Sequence, residues 1–193
     1  MRLPFLILGL LAASSVLAQV NVAASANGGT ASQSSIWTPA AVAENAIDGN
    51  NNGIWNANGI LTLNHTNIES GAWLKIYFDS TYQIDSVNLW NRLDGLGGRL
   101  NPFSVRLFDG ASMTYESTGN IFADTINDGL SYTEGMSFLT GGVLADSMEV
   151  KLDGTNYLHL AEVEAFAAPV PESGTMLALG AAGLLFFGRR RKA

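Results

Sequence analysis

The sequence predicts an all-β domain, a sandwich or barrel of short strands, and three observations predict it. Apolar residues recur at every second position in several short segments, turn dipeptides separate those segments, and no stretch of the central chain carries a long 3.6-residue apolar period. Phe103-Ser104-Val105-Arg106-Leu107 and Met148-Glu149-Val150-Lys151-Leu152 alternate strictly, which places their apolar side chains on one face of a strand. In chain order the predicted strands cover residues 73–78, 84–90, 103–108, 148–152 and 158–166. Between and beside them lie Asp48-Gly49-Asn50, Asp94-Gly95, Asp109-Gly110, Asp128-Gly129 and Asp153-Gly154. The Asp carboxylate bonds to the backbone just ahead and Gly accepts a left-handed φ, so each pair marks a turn.

Both ends of the 193-residue chain read as addresses rather than fold. Met1-Arg2, an apolar run over 3–11 and small residues up to Val16-Leu17-Ala18 have the order of a secretory signal peptide, so residues 1–18 are expected to be removed on export. At the other end, residues 169–193 contain Val170-Pro171-Glu172-Ser173-Gly174, an almost wholly apolar run over 175–187, and Gly188-Arg189-Arg190-Arg191-Lys192. The run is shorter than the ~20 residues of a full span, and its basic stop would stay on the cytoplasmic side. This order of turn, apolar run and Arg cluster resembles the PEP-CTERM sorting tail, with Ser173 where that family has a second Pro. The resemblance implies a Gram-negative bacterium, an exosortase-type processing enzyme as partner, and display at the cell surface or in an extracellular matrix. A segment of this kind left uncleaved would act as a membrane anchor.

Residues 19–168 remain for one domain, a length that suffices for a hydrophobic core. The whole chain carries a formal charge of −7, and this central part holds sixteen Asp and Glu against Lys75, Arg92, Arg99, Arg106 and Lys151. An acidic balance of this size argues against a nucleic-acid partner. The absence of cysteine excludes disulfide staples and thiol chemistry, so stability is left to the core or to a bound ion. With two histidines in the whole chain and no G-x-S-x-G, the sequence offers no nucleophile motif, and binding rather than catalysis is expected.

Scarcity makes the arrangement of the basic residues informative. His65 stands in Asn64-His65-Thr66, Arg92 follows after 26 intervening residues, and Asp94 and Arg99 come next, giving H-x(26)-R-x-D-x(4)-R. This pattern resembles the sugar-binding signature of the F-type lectins, or fucolectins, of the discoidin and coagulation-factor type C superfamily. Asn45-Ala46-Ile47-Asp48-Gly49-Asn50, Ala72-Trp73-Leu74-Lys75-Ile76 and Leu158-His159-Leu160-Ala161-Glu162-Val163-Glu164 also resemble family blocks, in the right order. The resemblance covers nearly all of 19–168 and implies a discoidin-like antiparallel β-sandwich, a jelly roll, that recognises L-fucose or a similarly configured sugar on fucosylated glycans or an exopolysaccharide.

The chemistry is consistent with that role. A neutral sugar is recognised by the directions of its hydroxyls, and a guanidinium offers a rigid fork of donors to two adjacent ones, which suits Arg92 and Arg99. A ring nitrogen of His65 can serve a further hydroxyl, and Asp94 is expected to orient and neutralise the arginines. Trp37 and Trp55 precede His65 and are candidates for the apolar wall that a 6-deoxy sugar needs. Two adjacent cysteines after the motif Asp, common in fucolectins, are replaced here by Gly95 and Leu96. The runner-up expectation is a structural cell-surface or exopolysaccharide-matrix protein with a degenerate or galactose-type sugar site.

One structural Ca²⁺ is also expected. Asn45, Asp48 and Asn50 offer hard oxygen donors in one tight turn, the chemistry calcium selects. The family resemblance adds Thr62, the carbonyl of Ala161 and Glu162 to that set. Softer metals are disfavoured because there is no Cys and His159 is expected to be a strand residue.

Overall fold

The computed structural model describes residues 19–100, 102–117 and 135–168. The expected signal peptide, the expected sorting tail and the Asp128-Gly129 turn lie outside the described residues. Gln19–Ala168 is one compact unit.

Eleven strands form among the described residues: β1 (Val20–Asn21), β2 (Thr30–Gln33), β3 (Asn56–Ala57), β4 (Ile60–Leu61), β5 (Glu69–Ser70), β6 (Trp73–Asn91), β7 (Phe103–Asp109), β8 (Ser112–Glu116), β9 (Met136–Leu152), β10 (Thr155–Asn156) and β11 (Leu160–Ala167). Their pairings are antiparallel throughout. The main sheet runs β1-β11-β6-β9-β7-β8, with β2 also on β6. The only helical pieces among the described residues are 3-10 turns of three or four residues, and none there is long and apolar enough to cross a membrane.

Two long strands turn this one hydrogen-bonded set into a sandwich. The first part of β6 pairs with β2 and with the end of β9, Leu74 opposite Val150 and Ile76 opposite Met148. Its second part pairs with β11 and with the start of β9, Val87 opposite Ala165 and Phe138. Register shifts fall between Tyr77 and Tyr82 and between Ile84 and Ser86, so each long strand belongs to one layer before the irregularity and to the other after it. The fold is thus a discoidin-like antiparallel β-sandwich.

Here the structure revises two expectations. Residues 73–78 and 84–90 are one strand, because the exposed run Asp79-Ser80-Thr81 between them holds neither Gly nor Pro and the chain stays extended. The expected strand at 148–152 is the end of a much longer β9 that begins at Met136 and passes through Gly141 and Gly142, both with φ of 74°. Both glycines sit where the alternation is lost, which is why periodicity alone did not reach across them.

The alternating residues form the core as expected. Leu74, Ile76, Val105, Leu107, Met148 and Val150 join Ile84, Val87, Leu89, Leu160, Val163 and Ala165 in one buried cluster. Each large aliphatic side chain in it contributes roughly 1.5–3 kcal/mol by leaving water. The core fixes the ends of β6 and β11, and the loops at those ends carry the polar residues singled out above.

Candidate functional site

His65 is held by its neighbours. Asn64 and Thr66, both fully buried, zip their segment onto the run that enters β11: Asn64 N–H donates to Leu160 O (3.2 Å) and Thr66 N–H to Leu158 O (3.0 Å). Their side chains return the contact, Asn64 Oδ1 accepting from Leu160 N–H at 2.7 Å and Thr66 Oγ from Leu158 N–H at 2.9 Å. The His65 backbone is fixed as well, its N–H donating to Ala41 O (3.2 Å) and its carbonyl accepting from Trp37 N–H (3.0 Å). Two polar side chains therefore hold the histidine from both sides while satisfying buried backbone groups.

His65 is 2% exposed as a residue, and its imidazole is ringed by aromatic groups. The centroids of Trp37, Trp55, Tyr157 and His159 each lie 5.1 Å from it. Its Nδ1 is 2.7 Å from the Thr66 carbonyl. Burial lowers its pKa below the ordinary value; the Thr66 carbonyl opposes this, and the charges of Arg92 and Arg99 add to the lowering. The ring is neutral near pH 7, and a carbonyl at Nδ1 assigns the proton there, which leaves Nε2 as an acceptor.

Arg92 follows directly on β6, where Asn91 shapes the exit: its side chain accepts from Arg92 N–H (2.7 Å) and donates to Gly97 O (2.9 Å). Asp94 grips the guanidinium in two places, Arg92 Nε to Oδ1 at 2.5 Å and a terminal nitrogen to Oδ2 at 3.0 Å. The same carboxylate accepts from Trp55 N–H at 3.2 Å. Burial pushes the Asp94 carboxyl up, but Arg92 and the Trp55 amide outweigh it and hold the group below its usual range. Arg92 also lies 5.1 Å over the Trp55 ring, so one side chain is fixed by a bidentate pair and an aromatic face.

The loop bearing Trp55 packs against this exit at Gly53, whose carbonyl accepts from Leu93 N–H at 2.8 Å. A Cβ on Gly53 would sit 2.5 Å from Asn91 O, so the approach requires glycine. Arg99 closes a 3-10 turn, Gly97–Arg99, and stacks over Tyr157 at 4.8 Å. Asp94, expected to orient and neutralise both arginines, pairs among the described residues with Arg92 alone, while Arg99, at the end of its 3-10 turn, rests on Tyr157.

These groups line one pocket of about 230 Å³: Trp37, Trp55, His65, Arg92, Leu96, Arg99 and Tyr157. That is below the roughly 300–1,000 Å³ of sites for drug-sized ligands and suits a single small ring. Leu96 joins the lining, whereas Gly95 makes the turn with φ of 85°. Tyr157 is the functional candidate that sequence reasoning missed, because it stands just before the strand predicted at 158–166 and belongs to none of the motifs. The usable signal was its position beside the run that His65's neighbours zip onto. His159 lies in that same run, just before β11 rather than in a strand, and is fully buried behind His65.

The calcium candidates lie on the 3-10 turn and loop around Asp48, just after β4 at Thr62, and on β11. Glu162 is 2% exposed; its Oε2 accepts from Gly49 N–H at 3.1 Å, and its Oε1 is buried with no hydrogen-bond partner among the described residues. Burial, with the nearby Asp48 and Glu164 carboxylates, pushes its pKa up to about 8 against the Gly49 amide. Asp48 is likewise raised by burial, and its Oδ1 accepts from Asn50 N–H at 2.8 Å. Asn45 lies beside this loop through its NH₂, which donates to Ala40 O and Leu63 O, and the Thr62 hydroxyl donates to Ile54 O at 2.6 Å. Ala161 occupies the register shift in β11 between Leu160 and Glu162. A buried carboxylate with an orphaned oxygen beside a second carboxylate is what a hard cation compensates, so the residues present fit Ca²⁺. No cluster of three His, Cys, Asp or Glu side chains forms among the described residues, so amide and carbonyl oxygens must complete such a set.

The family model for the NedA-like, galactose-binding domain, of the coagulation-factor F5/F8 type C kind, matches residues 45–141. The chain belongs to this family. No curated protein matches it significantly. Among solved structures, this type C domain is similar to the lectin domain of Lectinolysin, in a His 62 mutant complexed with Lewis b, at 26% identity and a TM-score of 0.66, over 79% of this chain and 99% of that one. It is also similar to a fucose binding module of Streptococcus pneumoniae, at 26% identity and a TM-score of 0.64, over 78% of this chain and 96% of that one. A fucolectin from striped bass (Morone saxatilis) serum matches at 25% identity and a TM-score of 0.58, over 74% of this type C domain's chain and 46% of its own.

Proposed function

We propose that the protein is a carbohydrate-binding module that takes L-fucose, or a sugar of similar configuration, in the pocket around His65. The observation that carries this reading is the convergence of His65, Arg92 and Arg99 on one small aromatic-walled pocket. The relatives support it: one is named a fucose binding module, another was solved with the glycan Lewis b, and the family and these neighbours are binding modules rather than catalytic domains.

In this reading Arg92 and Arg99 present donor forks to adjacent hydroxyls or the ring oxygen, and Nε2 of His65 accepts from a further hydroxyl. Asp94 positions Arg92. Trp37 and Trp55, with Leu96, supply the apolar surface that a 6-methyl group or the C–H face of the ring needs. One Ca²⁺ held by Asn45, Asp48, Asn50, Thr62, the Ala161 carbonyl and Glu162 ties the loop to β11 and stiffens the scaffold. Such shallow sites bind weakly, with dissociation constants on the order of 10 μM to 1 mM, and adhesion then needs many copies. Export by residues 1–18 and sorting through residues 169–193 by an exosortase-type enzyme would give that multivalency on a cell surface or in an exopolysaccharide matrix.

Titration calorimetry with L-fucose in the presence of calcium tests the reading. Heat with a dissociation constant in that range is expected, and its loss in Arg92→Ala. No heat at millimolar fucose would overturn the specificity. A galactose-type site is the second reading, favoured by the description of the matched family, and heat with D-galactose but not with L-fucose would select it.

A further inference from the structure

The two arginines of the pocket differ in a way that a neutral ligand does not require. Arg92 is neutralised by a bidentate carboxylate. Arg99 has no acidic partner among the described residues, where the other ion pairs all belong to Arg106. It rests on the face of Tyr157 alone. His65 adds no charge, and no Asp or Glu lines the pocket. One uncompensated positive charge therefore stands at the wall of a small pocket in a chain whose formal charge is −7. Lys75 and Lys151 likewise have no ion pair among the described residues, but neither lines the pocket; Arg99 alone brings an uncompensated charge to it, and an aromatic face holds that charge in place without cancelling it.

We propose that Arg99 also reads an anionic substituent, a carboxylate or a sulfate, so that an acidic sugar of the configuration this pocket takes, as in an anionic polysaccharide, binds more tightly than its neutral counterpart. This deepens the sugar-binding reading and rests on it. The guanidinium fork matches the two oxygens of a carboxylate or of a sulfate ester, and it makes its strongest contacts with such groups. The remaining lining, Arg92 with Asp94, His65 and the two tryptophans, handles the hydroxyls and the ring face as before.

Calorimetry with D-galactose, D-galacturonate, galactose 6-sulfate and L-fucose on the wild-type protein, on Arg99→Gln and on Arg99→Lys tests it. At about 20 mM salt at least one acidic sugar should bind about tenfold more tightly than galactose. That gap should shrink toward unity near 1 M salt, where screening acts within about 3 Å. It should vanish in Arg99→Gln and persist in Arg99→Lys, whatever either change does to overall affinity. A preference confined to galacturonate assigns a uronate, and one confined to the sulfate assigns a sulfate ester. Neutral sugars binding as well as both acidic ones would overturn the anionic reading and leave the sugar-binding reading standing. Absence of heat with all four sugars would overturn both.

Discussion

At the scale of single residues, the site rests on the difference between a charge that is held and one that is removed. Arg92 loses its donors, its pair with Asp94 and its stacking on Trp55 if it is cut to Ala, so binding should fall by at least a hundredfold while the fold persists. Asp94→Asn keeps the shape but not the charge. Because the carboxylate holds both Arg92 and the Trp55 amide, affinity should drop about tenfold with little loss of melting temperature. An affinity equal to wild type would show that the arginine needs no positioning. His65 gives the pH signature. Its folded pKa is depressed by burial, so the ring is neutral above its ordinary value of 6.5 and accepts a proton only on the acid side of it. Protonation removes the Nε2 acceptor, so affinity should be flat from pH 8 to 6.5 and decline below that. Calorimetry across pH 5 to 8 measures this, and a decline already complete at pH 7 would contradict the assignment.

At the scale of elements, the pocket depends on how closely the loop of Trp55 approaches the exit of β6. Gly53 has no room for a methyl group, with Asn91 O at 2.5 Å and Leu93 Cγ at 2.7 Å from where a Cβ would stand. Gly53→Ala should cost about 1–3 kcal/mol by overpacking, and should also weaken sugar binding, since Trp55 and Asp94 move with the loop. A loss of stability with unchanged affinity would show that the loop adapts independently of the pocket. Much of this architecture was legible. Strict alternation at 103–107 and 148–152 gave strands that the structure contains, and Asp48-Gly49, Asp94-Gly95 and Asp109-Gly110 are turns with positive φ at each glycine. The long strands were less legible, because strand bending over 77–86 leaves no local turn signal in the residues. At the site, His65, Arg92, Asp94 and Arg99 were legible through their scarcity and the resemblance of their spacing to the F-type lectin signature, and both tryptophans through their place in the chain before His65. Tyr157 was not, since its role comes from Arg99 folding back onto it, a contact 58 positions away in sequence.

At the scale of the whole molecule, the chain has no cysteine and must join its early loops to its last strand by other means. Glu162 and the Asp48 loop make that junction, with Gly49 N–H on Glu162 Oε2 across 113 positions. As it stands the junction is costly, because a buried carboxylate with one unpartnered oxygen faces a second carboxylate. An ion that binds only the folded chain stabilises it by mass action, by about 2.7 kcal/mol at a hundredfold excess over its dissociation constant. For a domain of this size that corresponds to a melting temperature higher by roughly 5–10 °C. Chelation should therefore lower the melting temperature of the wild-type protein, and added Ca²⁺ should restore it where Mg²⁺ does not, since Mg²⁺ demands a tighter octahedral set. Glu162→Gln separates the ion from mere packing. The amide fills the same space without a charge, so the variant should melt at or above the chelated wild type and should no longer respond to either chelator or calcium. A wild-type melting temperature indifferent to chelation would remove the ion from the junction. A response that survives in Glu162→Gln would place the ion elsewhere in the molecule.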